Sequence, residues 1–392
     1  MNNKTKAISA IILVIIVAGV LAVTSGNGKA KAAENTARVS YFFNLEQKQH
    51  ANHSSMLARS KNTYLKIAQR LQKLSQAQKA GSVMMIAIPD QYLSATTREF
   101  INKNQIGGVI LMGSNLGSAT QTKSLISELR SSADHGMLFA VDQEGSPVAR
   151  VAWEKHARVS APSLGKTNDP DEIYTVNFER AKELKALGFD INFAPVADLN
   201  YSGSWISNRA FGTDATTVAE IIKQITAAQK AGGIATTVKH YPGLGRSPKD
   251  SHQVLPVVSA SKQELNDSDL KPFIEAINAG AELIMVSHGL YPAFDPDNPA
   301  SVSAKILQEL LREEQKFNGL VVTDDMKMNA LKQIPQKYSK AVKAGADIIL
   351  LIDSFQNTEK AIAEIAANID PKILDKHLYR IYKQFPNLLD KK

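Results

Sequence analysis

The chain has 392 residues, of which 44% are hydrophobic and 21% charged, a composition typical of globular proteins rather than disordered ones. The absence of cysteine excludes disulfides, thiolate metal sites and cysteine nucleophiles. Residues 1–82 contain 12 Lys and Arg but 2 Asp and Glu, whereas residues 83–392 contain 34 and 36, so the larger part is near neutral and a nucleic-acid partner is not expected.

The first segment of the chain has the pattern of an export signal. A short positive stretch, MNNKTK, precedes 17 residues without a charge, AISAIILVIIVAGVLAV. This run is longer than a usual signal-peptide core of about 7–15 residues and shorter than a membrane span of about 20. Ala30-Lys31-Ala32 offers a cleavage site. We predict a signal peptide or membrane anchor over residues 1–33, with the rest of the chain exported: anchored facing the periplasm or exterior, or periplasmic or secreted after cleavage.

The arm that follows the signal is basic. Residues 34–53 are polar and irregular and are predicted to be a linker. Residues 54–81 place Leu, Tyr and Ile at helical spacing and end at Gly81, which predicts a helix. The arm is expected either to approach an anionic surface, such as a membrane or cell-wall polymer, or to be an ordinary solvated helix and linker.

From residue 83 onward, eight apolar β-rich runs alternate with segments of helical length. Runs that are apolar on both faces and separated by helices are typical of a parallel sheet covered by helices. Eight such units fit a single (β/α)8 TIM-type barrel better than a doubly wound sheet. The runs are 83–89, 106–112, 137–142, 189–198, 234–240, 282–288, 319–325 and 346–353. Two intervening helices are predicted over 168–188 and 303–319, and residues 355–385 read as helical.

Polar side chains cluster at the carboxyl ends of these runs, which is the rim where such barrels carry their active sites. Six of the eight runs end in this way. We therefore predict a polar pocket at this rim. The residues are Asp142, Asp198, Lys239 with His240, His288, Asp324 with Asp325, and Asp353.

Three chemistries fit such a pocket. A metal hydrolase could use as ligands His240, His252, His288 and Asp324, although the chain has no His-x-His pair or His-Glu-x-x-His motif. A Schiff-base enzyme could use Lys239 as its nucleophile. A retaining glycosidase needs a carboxylate on one face of the sugar, which Asp324 can supply, and a proton donor, which His252 can supply with Asp250 orienting its ring.

Two long motifs resemble those of a known family. KHYPGLGRSPKDSHQVLP and VVTDDMKM, supported by VDQEGSPVAR, NFAPVADL and NRAFG, are similar to the motifs of family 3 glycoside hydrolases of the β-N-acetylhexosaminidase (NagZ-like) branch. The resemblance covers residues 74–353. Together with the amino-terminal pattern, it leads us to expect a signal or anchor over 1–33, a linker over 34–53 and a catalytic barrel over 54–392.

The resemblance implies an enzyme that removes terminal N-acetylglucosamine from peptidoglycan or chitin-type fragments through a covalent glycosyl-enzyme. Asp324 is then the nucleophile, with His252 and Asp250 as the acid/base pair. No metal or organic cofactor is expected. The residues implied to bind the sugar are Asp142, Arg150, Arg209, Lys239 and His240.

The remaining expectations concern details around the pocket. Asp198 is expected to be structural, Asp325 to cap or support its neighbour, and His288 to reach the pocket. Family members that act on plain glucosides generally take the acid/base from a second domain after the barrel. Only 39 residues follow Asp353 here, so we expect no such second domain and an acid/base residue within the barrel. Three residues depart from the family pattern and are expected to affect which aglycone the enzyme accepts: Ser146, Pro147 and Leu244. A non-catalytic, membrane-tethered sugar-binding protein and an N-acetylglucosaminide phosphorylase stay open as alternatives.

Overall fold

The computed structural model describes residues 54–391, with side chains from residue 61. The predicted signal or anchor and the predicted linker lie outside these residues. The chain divides after Lys73: helix α1 (Ser54–Lys73) belongs to the first unit, and the second begins at Leu74. No helix in the described range is both long and apolar enough to cross a membrane.

Eight parallel strands form the centre of the second unit. Their order around the sheet is the chain order, and the last strand pairs with the first. The ring is nearly closed, because a bridge between Val322 and Ile348 connects the remaining two neighbours. The eight-stranded parallel barrel predicted from the apolar runs is therefore confirmed. The strands are β1 (Met84–Ala87), β2 (Gly108–Ile110), β3 (Leu138–Val141), β6 (Ile191–Asn192), β7 (Ala235–Tyr241), β8 (Leu283–Val286), β9 (Leu320–Thr323) and β10 (Ile349–Leu351).

A short antiparallel hairpin follows β3 and lies outside the ring. It consists of β4 (Gln143–Gly145) and β5 (Val148–Ala149). Gly145 turns the chain with a φ of +102°, a conformation in which glycine avoids the steric penalty of a side chain. The hairpin brings the residues on either side of β4 to the rim beside the end of β3.

The helices of the second unit, all of which follow α1, cover the outside of the barrel. Those after α1 are α2 (Gln76–Ser82), α3 (Ala95–Asn104), α4 (Ala119–Ser132), α5 (Ala161–Thr167), α6 (Pro170–Leu187), α7 (Ala215–Gly232), α8 (Lys262–Glu264), α9 (Lys271–Asn278), α10 (Lys337–Ala344), α11 (Phe355–Asn368) and α12 (Pro371–Gln384). Two segments have π-helical hydrogen bonding, Leu265–Asp269 and Lys305–Glu314. Single 3₁₀ turns occur at Gly113–Asn115, Ala300–Val302, Asn329–Leu331 and Pro386–Leu389.

Local sequence signals explain where these helices begin and end. Asp169 caps α6 by accepting from the amides of Asp171 and Glu172, Pro170 occupies the first turn, and Gly188 ends the helix with a φ of +105°. The helix predicted over 168–188 is confirmed with these caps.

Other predicted helices differ from the structure. The helix predicted over 54–81 is two helices, since Ser75 caps α2 with a capping box and ends the first helix at Lys73. The helix predicted to reach Gly319 ends at Glu314, because Lys316 adopts a left-handed conformation with a φ of +58°. The helical segment over 355–385 is interrupted before Pro371, which starts α12.

A buried ionic network holds the amino-terminal end of the barrel. Asp347, which precedes β10 and is fully buried, accepts hydrogen bonds from Arg312 (2.6 Å), Arg380 (2.6 Å) and His377 (2.8 Å). Burial alone would raise the pKa of Asp347, but the two guanidinium groups and the imidazole lower it well below its usual range. The network connects α12 and the π-helical segment before β9 to the strands.

Candidate active site

The predicted pocket residues meet at the carboxyl-terminal rim of the barrel. Asp142 directly follows β3, and Asp324 directly follows β9. Lys239 and His240 lie within β7, just before its last residue. Because parallel strands all end at the same edge, residues distant in the chain are brought together there. The peptide bonds Lys239–His240 and Tyr241–Pro242 are both cis.

Four charged residues form a cluster, which we call the rim cluster: Asp142, Glu144, Arg209 and Lys239. The Lys239 Nζ atom lies 2.7 Å from Asp142 Oδ1 and 2.7 Å from Glu144 Oε1. Arg209 binds Glu144 with two hydrogen bonds, from Nη2 at 2.7 Å and Nε at 2.9 Å. One carboxylate thus holds both cations. Its two hydrogen bonds to Arg209 have the fork geometry that a guanidinium group can form and an ammonium group cannot.

The charges within the rim cluster determine its ionisation. Burial alone would raise the pKa of Glu144, but Lys239 and Arg209 lower it to about 2. Burial acts against the charge of Lys239 as well, yet Asp142 and Glu144 raise the pKa of its ammonium group above the ordinary value. Lys239 is therefore charged at neutral pH, which argues against the Schiff-base chemistry that requires a free amine.

Asp198 fixes the start of the loop that follows β7. Its Oδ2 atom lies 2.7 Å from His240 Nδ1, and its Oδ1 atom accepts from the Leu244 amide at 2.6 Å. Asp198 is fully buried. This geometry agrees with the structural role expected for Asp198, which orients one predicted sugar ligand and the loop together.

Asp324 presents a buried carboxylate at the end of β9. Its amide donates to Val286 O at 3.0 Å, and its Oδ1 atom accepts from the Asp325 amide at 2.8 Å. Burial would raise the pKa of Asp324, but the nearby His240 and His288, that amide and Lys239 together lower it below the ordinary value. The carboxylate is ionised at neutral pH, as a nucleophile must be.

Asp325 and His288 support the Asp324 segment. Asp325 Oδ1 accepts from the amides of Lys327 (3.0 Å) and Ile352 (2.9 Å), and burial raises its pKa to about 6. Both ring nitrogens of His288 are occupied, Nδ1 by Ser301 Oγ at 2.8 Å and Nε2 by the Asp325 carbonyl at 3.0 Å. Burial lowers the pKa of His288. The histidine is close to Asp324 but is bound within the protein.

The loop after β7 has a packed base. At Gly245 a Cβ atom would lie 1.9 Å from the Leu199 carbonyl oxygen, and Gly243 has a φ of +116°, so both positions require glycine. Arg246 donates to Asp269 Oδ2 at 2.8 Å and lies over the Tyr201 ring at 4.3 Å from its centroid. We call residues 243–248 the loop base.

The loop tip, residues 249–254, carries the predicted acid/base pair. His252 Nδ1 lies 2.7 Å from Asp250 Oδ1, and the exposed fraction of the His252 side chain is 58%. Between them, Ser251 is buried, its carbonyl accepts from the Ala330 amide at 3.2 Å and its hydroxyl contacts Met328 Sδ. The tip is thus packed against the segment that follows Asp324.

The remaining predicted residues lie around this pocket. The Arg150 amide donates to the Asp142 carbonyl at 3.3 Å, and within the described range its buried Nε atom has no hydrogen-bond partner. Ser146 and Pro147 are exposed at the tip of the β4–β5 hairpin, whereas Leu244 is fully buried. Between residues 54 and 391, no three His, Asp or Glu side chains are grouped as metal ligands.

Two site residues were missed from the sequence. Glu144 belongs to the quoted VDQEGSPVAR motif and lies two residues after Asp142, a spacing that puts both side chains on one face of an extended chain. Trp205 lies four residues before Arg209 and contacts His252 with its ring. The sequence offered one indication of the importance of Trp205, namely that the chain has only two tryptophans.

Comparisons with known proteins show what the chain as a whole is similar to. The family model described as "Glycosyl hydrolase family 3 N terminal domain" matches residues 66–383. A beta-hexosaminidase of Hydrogenovibrio crunogenus is 31% identical over 308 residues, covering 76% of this chain and 86% of the relative. A beta-hexosaminidase of Idiomarina loihiensis is 34% identical over 275 residues, covering 68% and 83%.

The chain is also similar to solved structures. The structure of a glycoside hydrolase family 3 beta-N-acetylglucosaminidase from Paenibacillus sp. FPU-7 superimposes with a TM-score of 0.78 and 31% identity. The match covers 81% of this chain but 64% of that protein, so the chain spans somewhat less than two thirds of its length.

Proposed function

The chain belongs to glycosyl hydrolase family 3, and from this membership we propose that it is a retaining exo-β-N-acetylglucosaminidase. The proposed substrate is a terminal N-acetylglucosamine of peptidoglycan or chitin-type fragments. The observation that carries the proposal is the ionised, buried Asp324 together with the exposed His252–Asp250 pair, whose loop tip packs against the segment that follows Asp324. The beta-N-acetylglucosaminidase from Paenibacillus supports the choice of sugar.

In the first step, Asp324 attacks the anomeric carbon while the bond to the leaving oxygen breaks. His252 donates its proton to that oxygen, and the sugar is left as an ester on Asp324. In the second step, His252 removes a proton from water, the water oxygen attacks the same carbon, and the ester bond breaks to restore the carboxylate. Two inversions retain the configuration. Asp250 orients the imidazole through Nδ1.

The sugar itself is bound by Asp142, Arg150, Arg209, Lys239 and His240 in this proposal. These residues supply charged donors and acceptors for the hydroxyls and the acetamido group, and charged partners form the stronger hydrogen bonds. The rim cluster supports this assignment because both its cations are held in place before any ligand arrives.

We also propose that the protein is exported and acts at or near the cell surface. The support is the sequence of residues 1–33 and the excess of basic residues in 1–82, which favours contact with a membrane or anionic cell-wall polymer. Fractionation of cells that produce the full chain tests this proposal, because recovery from the cytoplasm contradicts it.

The experiment that tests the activity is a comparison of Asp324→Asn with Asp325→Asn. The first substitution removes the nucleophile and is expected to reduce nitrophenol release from a nitrophenyl N-acetylglucosaminide by about a thousandfold or more. The second keeps an oxygen that can accept from Lys327 and Ile352 and is expected to retain most of the activity.

Circular dichroism must show both variants folded. Unchanged turnover by Asp324→Asn contradicts the assignment. Parallel assays with a glucoside and an N-acetylgalactosaminide test the sugar, and formation of sugar 1-phosphate in phosphate buffer identifies a phosphorylase instead of a hydrolase.

A further inference from the structure

Trp205 lies between the loop tip and the rim cluster. Its indole meets the His252 ring edge to face, with centroids 6.2 Å apart and planes at 79°. The Arg209 guanidinium lies over the same indole, with Cζ 5.7 Å from the ring centroid. One side chain therefore contacts both the proposed proton donor and a proposed sugar ligand.

Packing fixes the position of this indole. Trp205 packs against a small buried cluster formed by Val196, Ile206 and Ala210, and its amide donates to the Ser247 carbonyl at 3.4 Å. Among the described residues, its buried Nε1 atom has no hydrogen-bond partner. The ring is thus placed by apolar contact with the barrel and by the loop base, not by a polar interaction of its own.

His252 needs such a support. Its hydrogen bond to Asp250 connects two residues of the same exposed loop tip and does not by itself fix the ring relative to the barrel. The contact with Trp205 does, since that residue is carried by the loop after β6. Edge-to-face aromatic pairs contribute up to about tenfold to a conformational equilibrium.

We propose that Trp205 is a positioning residue for proton transfer: it holds the His252 imidazole over the pocket and connects it, through Arg209, to the rim cluster. This inference rests on the proposed function. It assigns to Trp205 no contact with the reacting atoms, so its loss weakens the steps that need a placed acid or base and spares those that do not.

The kinetic test compares Trp205→Ala with Trp205→Phe and with His252→Ala. The kcat/KM value reports formation of the glycosyl-enzyme, which needs an acid for a sugar leaving group but hardly for nitrophenol. General acid catalysis contributes about 10²–10⁴-fold. We expect Trp205→Ala to lower kcat/KM for an N-acetylglucosamine disaccharide about tenfold or more, with less than about threefold loss for the nitrophenyl substrate. Trp205→Phe keeps an aromatic ring and is expected to stay near wild type.

Azide provides the second kinetic measurement. It attacks the anomeric carbon of the glycosyl-enzyme without needing a base, forms a glycosyl azide and returns the bonding electrons to Asp324. We expect azide to raise kcat on the nitrophenyl substrate for His252→Ala and Trp205→Ala but not for wild type. Equal losses on both substrates without an azide response contradict the positioning role, as does an unaltered Trp205→Ala.

Fluorescence tests the contact independently of activity. Trp153→Phe leaves Trp205 as the sole tryptophan of the chain. An imidazole ring in contact with an indole alters the emission of that indole, so the emission of Trp205 is expected to change on His252→Ala. Emission that is the same before and after His252→Ala contradicts the contact. A wild-type chain without glycosidase activity contradicts the proposed function itself, whereas an active one with unaltered Trp205 variants contradicts this inference alone.

Discussion

The Glu144 carboxylate holds two cations of the pocket at once. One oxygen is shared by Lys239 and Arg209, and the other completes the fork of the guanidinium group. Because long basic side chains have many rotamers, a common partner that fixes both reduces the freedom they must lose when a sugar binds.

Replacing Glu144 by Gln is expected to impair sugar binding and stability together. The variant keeps the shape but leaves Lys239 and Arg209 without their shared charge. Hydrogen bonds to charged groups are worth about 1.5–3 kcal/mol, so we expect kcat/KM to fall about ten- to hundredfold. Removal of one partner from a buried ion pair also lowers the free energy of unfolding by about 3 kcal/mol. Steady-state kinetics and urea denaturation measure the two effects.

The pH dependence of this difference has a definite sign. The pKa of Glu144 is about 2 in the folded protein and ordinary in the unfolded chain. Its stabilisation is therefore complete above about pH 4.3 and is lost as the pH falls towards 2. Glu359→Gln is the matched control, since that exposed glutamate pairs with Lys103 and surface pairs contribute little. A gap between wild type and Glu144→Gln that persists at pH 2 contradicts the prediction.

The sequence predicted which polar residues lie in the pocket better than it predicted which side chains contact one another. Asp142 and Lys239 were predicted because each lies at the end of an apolar strand. Glu144 was not, because its importance arises only when the hairpin, β7 and the loop after β6 meet. Trp205 was missed for the same reason, since its contact with His252 joins residues 47 positions apart.

The loop after β7 combines a packed base with an exposed tip. Asp198, Asp269 and Leu199 hold the base through a carboxylate, an ion pair and a close backbone approach. The tip has fewer such contacts, and His252 is exposed. The position of the acid/base pair thus depends on the loop base, residues 243–248, where close packing tolerates few substitutions.

Gly245→Ala is expected to damage activity more than stability. The added Cβ atom would meet the Leu199 carbonyl at 1.9 Å, so the loop base must shift. Overpacking of this kind costs about 1–3 kcal/mol, and displacement of a catalytic group by about 1 Å costs up to about a hundredfold in rate. Gly113→Ala is the control, because nothing lies within 4 Å of its Cβ position. Equal kcat/KM values for the two variants contradict the prediction.

At the scale of elements, the sequence predicted the strands well because each is apolar on both faces. Helix boundaries were predicted where a cap marks them, as at Asp169 and Gly188. The break at Ser75 and the early end before Lys316 were missed, since they depend on a capping box and a left-handed residue within otherwise helical patterns.

In the molecule as a whole, the site and the Asp347 network lie at opposite ends of the barrel. Asp347 precedes β10, whereas the pocket residues follow the strands. Closure of the barrel between β9 and β10 could not be predicted from strand order, because an open sheet has the same order. The network beside these two strands involves side chains from three segments of the chain and could not be predicted from the sequence either.

Asp347→Asn is expected to lower stability without altering the pocket. It removes the charge that three basic side chains share, which costs about 3–5 kcal/mol, so the urea midpoint is expected to fall while kcat/KM at 25 °C stays unchanged. The pKa of Asp347 is lowered in the folded state, so its contribution is present above about pH 4 and is lost at lower pH. The exposed Asp267 provides the control, and a loss of kcat/KM in Asp347→Asn would show that the two ends are coupled.

The two proposed catalytic groups have different structural origins: Asp324 ends a strand of the barrel, and His252 belongs to a loop tip beyond it. The two parts can therefore be altered separately. Substitutions at Lys249, Gln253 and Val254, which flank the acid/base pair, are expected to alter the surroundings of the leaving group while the rim cluster is preserved, so the range of glycans processed changes without a change in sugar preference. A library randomised at Lys249, Gln253 and Val254, with Asp250, Ser251 and His252 retained, is therefore a direct route to new aglycone specificities on an unchanged scaffold.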